Sequence, residues 1–514
     1  MMIELKRRGL LQLAAAGGLA APSLALSSSR AAAQSAKTLT IAYNTVLVAW
    51  DPTTGPASVN PATQSIYRSV FDPYLDQNPD LSLKPGLFTA WSFNDDKTKV
   101  RFELRKDAFW HDGTPVTPED VIWSLERAAD PKTGSPVQIV WAKLKNLKAD
   151  GYVITADMPE YEPDMFAWLA FLTAYVLPKA YYTKVGAEGF EAKPIGSGPY
   201  MVDEFVRNSF VRLKAHPKYW GPKPAFETVV FKFIPDSTSR IAEIESGSSD
   251  ITLEIPFDEY DRLRAMPKFT GTVHPISDIG MIFITNEPPM LDKNVRLAMT
   301  HAVDKKVIVK QLLRGYGLAI DTLLVPQYIG YDPSITVPYD PALATKLLAQ
   351  AGFSPKNPVK FTIQTTRGFK PKDYECIQAV VGMWRKVGIE ANIEVYEIAK
   401  HFELRTQHQL APAAFYNWGN SAADPADSIA FAMFGPTPNS AWKTADMDAK
   451  IAPLWGEKDE AKRIAGYKAA SRYIADEGYV LPLWQYYQPL LFKKSLKVPA
   501  YTAGFILPQT VTSV

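Results

Sequence analysis

The run Phe102-Glu103-Leu104-Arg105-Lys106-Asp107-Ala108-Phe109-Trp110-His111-Asp112-Gly113-Thr114-Pro115-Val116-Thr117-Pro118-Glu119-Asp120-Val121 packs a strand, a turn and the start of a helix into one stretch. Over 100–105 apolar and charged residues alternate, the period of a strand with one face buried. Asp112-Gly113 is a pair that a tight turn favours, because glycine reaches positive φ without a Cβ clash. Thr117 offers a hydroxyl to cap a helix and Pro118 fits its first position. Glu119 and Asp120 then place negative charge at the positive end of the helix dipole. Val121, Ile122, Leu125 and Ala129 supply one apolar face for that helix.

The same two periods recur outward along the chain. Residues 39–43 and 210–214 alternate as half-buried strands, and 229–234 is a more continuous apolar run that suits a buried one. Further strands are expected at 281–285, 361–364 and 389–396. Asp340-Pro341 opens a helix with Leu343, Leu347, Leu348 and Ala351 inside and Gly352 as its stop. Another runs from about Asp373, with Ile377, Val380, Val381, Trp384 and Val387 on one face before Gly388. A fourth spans about 460–476 and ends near Gly478. No internal repeat or low-complexity linker interrupts the pattern, and the 41 prolines are spread out as long ordered loops require. This alternation predicts closely packed α/β lobes.

A chain of 514 residues exceeds what one hydrophobic core supports. Its 12 Trp, 24 Tyr and 25 Phe can line a cleft as well as fill cores. The formal charge of +2 gives no reason to expect a nucleic-acid partner. A single cysteine, Cys376, excludes an intramolecular disulfide, a cysteine-based zinc cluster and a CxxC redox site. At the N-terminus Lys6, Arg7 and Arg8 precede an apolar stretch of about a dozen residues, short of the roughly 20 that span a bilayer. Small residues follow, ending in Ala31-Ala32-Ala33. This is the layout of a cleavable export signal over 1–33, and Arg7-Arg8-Gly9-Leu10-Leu11-Gln12 is similar to a twin-arginine signal, with a Sec signal that carries two arginines as the alternative. Cleavage after Ala33 removes Lys6, Arg7, Arg8 and Arg30 against Glu4, which turns the balance slightly negative. The mature protein is expected free in the periplasm.

From Pro85-Gly86-Leu87-Phe88-Thr89-Ala90-Trp91 through Val121 the chain closely resembles the signature of the family 5 extracellular solute-binding proteins, the peptide, nickel and opine-binding components of ABC importers. Pro194-Ile195-Gly196-Ser197-Gly198-Pro199-Tyr200 resembles the family's glycine-rich turn, and Tyr219-Trp220-Gly221-Pro222-Lys223-Pro224 its aromatic-glycine corner. The stretch 292–304 resembles one family helix and 339–353 another. Val480-Leu481-Pro482-Leu483-Trp484-Gln485-Tyr486-Tyr487 resembles the strand that returns to the first lobe. The resemblance implies an α/β, bilobal periplasmic-binding-protein fold of the class II type, with an extra subdomain inserted in lobe I. The expected boundaries are 34–71 and 183–277 for lobe I, 72–182 for the insertion, 278–483 for lobe II and 484–514 for the return. It further implies a monomer that closes on a small-molecule or short-peptide ligand and docks on an inner-membrane ABC permease, with no cofactor.

In peptide-binding members a carboxylate shortly after a Trp-Gly-like turn pairs with the ligand's α-ammonium. Here the stretch reads Tyr416-Asn417-Trp418-Gly419-Asn420-Ser421-Ala422-Ala423-Asp424-Pro425, which places Ser421 where that acid is expected. A hydroxyl cannot compensate a desolvated ammonium, so unblocked peptides are disfavoured and N-blocked peptides or opine-like acids are favoured. Asp424 reads as an Asp-Pro turn residue, with a shifted loop that brings it in as the anchoring acid as the alternative. Arg367 matches an arginine of dipeptide-binding members, with Phe369 as an aromatic wall. Its guanidinium reads equally as a clamp for a ligand carboxylate and as a solvated or lobe-bridging group. Asn417, Trp418, Gly419, Asn420 and Ser421 complete the expected ligand stretch, with Trp50, Trp484 and Tyr486 as weaker cleft candidates. A metal chelate or a small glycoside is the alternative ligand within the family.

The rival class is a secreted hydrolase. The chain has no H-E-x-x-H and no G-x-S-x-G elbow, and Gly196-Ser197-Gly198-Pro199 reads as a turn. Asp95-Asp96 lies beside a turn. His111, His216, His274 and His301 form no metal-ligand spacing. His401 and His408, seven apart, read as solvated surface residues that could share a helix face. No metal site and no catalytic residue is expected.

Overall fold

The computed structural model describes residues 37–54, 61–170, 174–437 and 440–514, so the export signal over 1–33 lies outside them. Strands are numbered in chain order, with β1 at Thr38–Tyr43, β2 at Leu75–Gln77 and β3 at Leu83–Pro85. Next come β4 (Phe88–Phe93), β5 (Lys99–Leu104), β6 (Lys145–Asp150) and β7 (Val153–Asp157). The run quoted above folds as its chemistry dictates. Along β5 buried and exposed residues alternate, and Gly113 takes φ +88° in the turn. Helix Pro118–Ala129 opens with a capping box in which Thr117 and Asp120 satisfy each other's backbone N–H groups. β4, β5, β7 and β6 pair in that order as a separate antiparallel sheet.

The large sheet contains β8 (Tyr200–Val206), β9 (Phe210–Ala215), β10 (Thr228–Phe233), β11 (Ile251–Leu253), β12 (Phe269–Ile284) and β13 (Gly317–Ala319). It is completed by β14 (Val359–Thr365), β15 (Ile389–Val395), β16 (Ala413–Gly419) and β17 (Val480–Lys493). Its order is β15-β14-β16-β12-β17-β11-β1-β10-β9-β8, with β13 also on β17. β12 and β17 are antiparallel, pairing from Phe269 opposite Lys493 to Phe283 opposite Val480. The last half of β17 pairs with β11, which leads on to β1, while the first half of β12 pairs with β17. The other halves carry β13 to β16. Between Pro275 and Ile279 the register slips, so Ile276, Ser277 and Asp278 bulge where one half of the sheet passes into the other.

Three of the predicted boundaries come out differently. The strand expected at 281–285 is the end of the 16-residue β12, whose first half hides its period behind Gly271, Thr272, His274 and Pro275. The strand beginning at Val480 likewise runs on to Lys493. The stretch 292–304 holds helix Lys293–His301 and then the start of a second, Lys305–Gln311, because Asp304 caps the backbone N–H of Val307 and restarts the chain. The remaining helices form with the punctuation read for them: Asp340 caps Leu343, and Gly388 and Gly478 close their helices at φ +101° and +65°. The glycine-rich turn owes its composition to packing. A Cβ at Gly196 would stand 1.9 Å from the carbonyl oxygen of Val70 and one at Gly198 2.7 Å from the Val70 carbonyl carbon.

Candidate functional site

The loop between β14 and helix Asp373–Val387 is folded around one carboxylate. Asp373, almost fully buried, accepts the backbone N–H groups of Gly368 at 2.8 Å, Phe369 at 3.0 Å, Lys370 at 3.3 Å and Tyr374 at 2.9 Å. It also takes the Thr366 hydroxyl at 2.8 Å. A buried anion at a helix start collects orphan donors in this way. The resulting turn sends its side chains in three directions. Arg367 is exposed, with its guanidinium 3.9 Å above the Tyr374 ring. Phe369 meets Phe402 edge-on at 5.7 Å. Lys370 points inward and is 8% exposed.

The Lys370 ammonium reaches across the sheet. It lies 2.9 Å from Asp278 Oδ2, in the β12 bulge, and 3.4 Å from Glu254 Oε1, just beyond β11. Asn417, on β16, donates from Nδ2 to both Asp278 oxygens at 3.0 and 3.1 Å. Burial alone would discharge Lys370, but Asp278 and Glu254 outweigh it and hold the ammonium above its ordinary value. The ring of Tyr486 lies 5.4 Å from this ammonium. Tyr486 in turn stands at right angles to Trp484, and a Cβ at Gly280 would meet both. Phe369, Lys370, His401, Tyr416 and Asn417 wall a cavity of about 10 Å³, room for one water.

Beyond β16 the expected ligand stretch is buried and engaged. Trp418 donates its indole N–H to the Asp427 carbonyl at 3.1 Å and packs edge-on to Phe283. Gly419 pairs with Asp278 across β12, and the Asn420 N–H bonds the Ser277 carbonyl at 2.7 Å. Asn420 Nδ2 also holds the Asp424 carbonyl and Ser428 Oγ. Ser421 is 7% exposed, and its carbonyl accepts Gln77 Nε2 at 2.7 Å. Asp424 caps Ala426 and takes Arg463 at 2.6 and 2.8 Å. The same guanidinium reaches Asp164 at 3.0 Å, in the segment just after β7. The Asp427 carboxyl is pushed well above the usual range, chiefly by burial and then by nearby Asp424.

The structure therefore gathers Phe369, Asn417, Trp418, Gly419, Asn420, Ser421, Trp484 and Tyr486 about the β12 bulge, while Arg367 is turned outward to the surface. Trp50 stands apart from them. It lies in the apolar cluster around β1 and β10, edge-on to Phe205 at 5.5 Å, and its backbone N–H is held by Glu191. Sequence reasoning missed Lys370, Asp278, Glu254 and Arg463, because a partner defined by a bulge or by a distant helix leaves no local spacing to read. It also missed Arg405. That guanidinium sits 5.1 to 5.5 Å from the rings of Tyr416, Phe402 and Trp418 and belongs to no ion pair among the described residues. Burial lowers its pKa to about 10.

One expectation about the histidines is corrected. His401 is 2% exposed, not on the surface: Nε2 bonds the Phe415 carbonyl and the ring stacks on Tyr416 at 3.9 Å. His408 lies past the end of helix Ile398–Thr406, so the two share no helix face. His111 accepts the Gly196 N–H at Nδ1 and bonds the Gly198 carbonyl through Nε2, bracing the glycine-rich turn. Among the described residues no group of three or more His, Cys, Asp and Glu side chains is placed to hold a metal, and no helix is long and apolar enough to cross a membrane.

Comparison with known proteins adds a second, independent line. The family model described as bacterial extracellular solute-binding proteins, family 5 Middle, matches residues 82–440. The periplasmic murein peptide-binding protein MppA of Escherichia coli (strain K12) is 26% identical over 490 residues, covering 86% of this chain and 88% of that protein. The dipeptide binding protein from Pseudoalteromonas sp. SM9913, solved with Met-Leu, superposes with a TM-score of 0.84 at 22% identity, over 93% of this chain and 100% of that one. MoaA from A. tumefacien R10, solved with mannopinic acid, gives a TM-score of 0.82 at 22% identity, over 93% and 99%.

Proposed function

This chain belongs to family 5 of the bacterial extracellular solute-binding proteins, whose members are bilobal binding proteins that serve ABC importers, and from that premise we propose that it carries an organic solute without a free α-ammonium, an N-blocked peptide or an opine-like acid. The observation that carries this reading is the state of the 416–425 stretch. By the resemblance read in the sequence, Ser421 takes the place of the acid of peptide-binding members, and the next carboxylate along the chain, Asp424, is committed to Arg463 and to the Ala426 N–H. A desolvated ammonium placed there would lack a counter-charge, at a cost of several kcal/mol, on the order of that for any unpaired buried ion. Phe369, Trp418, Trp484 and Tyr486 supply apolar walls, Asn417 and Asn420 polar edges, and Arg367 at the surface a candidate clamp for a carboxylate.

In this reading the ligand is released chemically unaltered to a permease of the inner membrane, and the protein acts in the periplasm after export through its twin-arginine signal. Native mass spectrometry against L-alanyl-L-alanine, its N-acetyl derivative and an opine is the test. Stoichiometric retention of the blocked or opine ligand, with no product and no retention of the free dipeptide, is the expected result. Tight binding of the free dipeptide by the wild-type protein defeats the argument from Ser421. Changing Arg7 and Arg8 together to lysine is expected to abolish export, read as loss of the protein from the periplasmic fraction.

A further inference from the structure

The Lys370, Asp278 and Glu254 cluster joins three separate parts of the sheet: the loop after β14, the bulge in β12 and the segment after β11. Each member is nearly buried, with side chains 8%, 6% and 10% exposed. Both Asp278 oxygens are occupied by donors, Asn417 on each and Lys370 on Oδ2. The lysine also walls the small cavity beside Asn417, Phe369 and Tyr416. An ammonium between two carboxylates, roofed by the Tyr486 ring at 5.4 Å, is the environment that a site for a primary amine would provide. The chain supplies that amine itself.

We infer that Lys370 is a specificity-determining residue: its ammonium fills an acidic seat formed by Asp278 and Glu254, and so bars ligands that bring a primary ammonium of their own. The inference rests on the carrier reading above, since it needs the solute to enter beside the β12 bulge. It goes further than the argument from Ser421, which concerns a missing acid. Here two acids are present and already satisfied. A ligand ammonium could enter only by displacing a tethered lysine whose effective concentration at the seat is far above that of a free solute. Removing the lysine head while keeping its apolar stem leaves two buried carboxylates without compensation, and a small amine is then the cheapest counter-charge.

The test is isothermal titration of the mature protein with L-alanyl-L-alanine and with its N-acetyl derivative, on the wild type and on Lys370→Met. The variant is expected to bind the free dipeptide at least tenfold tighter than the wild type does, with the acetylated ligand changed less than threefold. The double variant Lys370→Met/Asp278→Asn is expected to lose that gain. Absence of any gain in folded Lys370→Met, or its persistence in the double variant, overturns the assignment. If Lys370→Met does not fold, Lys370→Ala is melted in methylammonium chloride and in sodium chloride. A higher melting temperature in methylammonium supports the seat, and equal temperatures overturn it. The carrier reading is scored separately by small-angle scattering of the wild type: compaction with the N-blocked ligand alongside no amine gain in the variants removes the Lys370 assignment alone.

Discussion

Asp373 sets the shape of the loop after β14 by gathering four backbone N–H groups and a hydroxyl. Asp373→Ala strands those donors, of which the Thr366 hydroxyl and the Lys370 N–H are buried, and is expected to cost roughly 3 kcal/mol, read by denaturant unfolding, and to loosen Arg367, Phe369 and Lys370 together. Histidine 111 makes a second residue-level prediction. Burial, with His216 beside it, lowers its pKa to about 3, and burial lowers that of His401 to about 4, both from an ordinary 6.5. Between about pH 6.5 and 4 the unfolded chain therefore holds protons that the folded chain refuses, so stability is present above that window and lost as pH falls through it. Each histidine contributes a slope of about 1.4 kcal/mol per pH unit. Asp72 opposes them: burial lifts its pKa to about 7, so its contribution falls as pH rises from about 4 to 7. Denaturation at stepped pH is expected to show a shallower acid loss for His111→Gln and a steeper one for Asp72→Asn. None of this was visible in the sequence, where a histidine carries no mark of the carbonyls and rings that will surround it.

At the level of elements, legibility followed locality. The helices at 118–129, 341–350, 373–387 and 460–477 could be read because each carries a capping side chain or a terminal glycine close in the chain to the residues it punctuates. β12 could not, since its Gly271 and Pro275 look like breakers until β17 is laid beside them. The stretch 416–425 was read as a unit from its resemblance, and the structure does hold it together, but the donors and acceptors that fix it come from β2, β12 and helix Glu460–Glu477. The glycine-rich turn yields the clearest test at this scale. Gly196→Ala drives a methyl into the Val70 carbonyl, with no flexible side chain to give way, and is expected to destabilise by about 3 kcal/mol or to abolish soluble expression. Gly368, whose Cβ would meet nothing but whose φ is +82°, should cost about 1 kcal/mol as alanine.

Across the molecule, three side-chain contacts tie segments far apart in sequence: Lys370 to Glu254, Arg463 to Asp164, and Gln77 to the Ser421 carbonyl. Arg463→Met leaves Asp164 and Asp424 buried without compensation and is expected to lower stability by roughly 3–5 kcal/mol, read by thermal or denaturant unfolding. The continuity of β12 and β17 has a mechanical consequence. Motion of one half of the sheet against the other cannot occur about a free pivot, because two unbroken ribbons cross the divide and must twist with it. The bulge at Ile276, Ser277 and Asp278 softens β12, and a second slip between Gly280 and Met281 puts one extra residue, Leu483, on β17. The pair then acts as a leaf spring, whose stiffness opposes any displacement of one half of the sheet against the other and returns it on release.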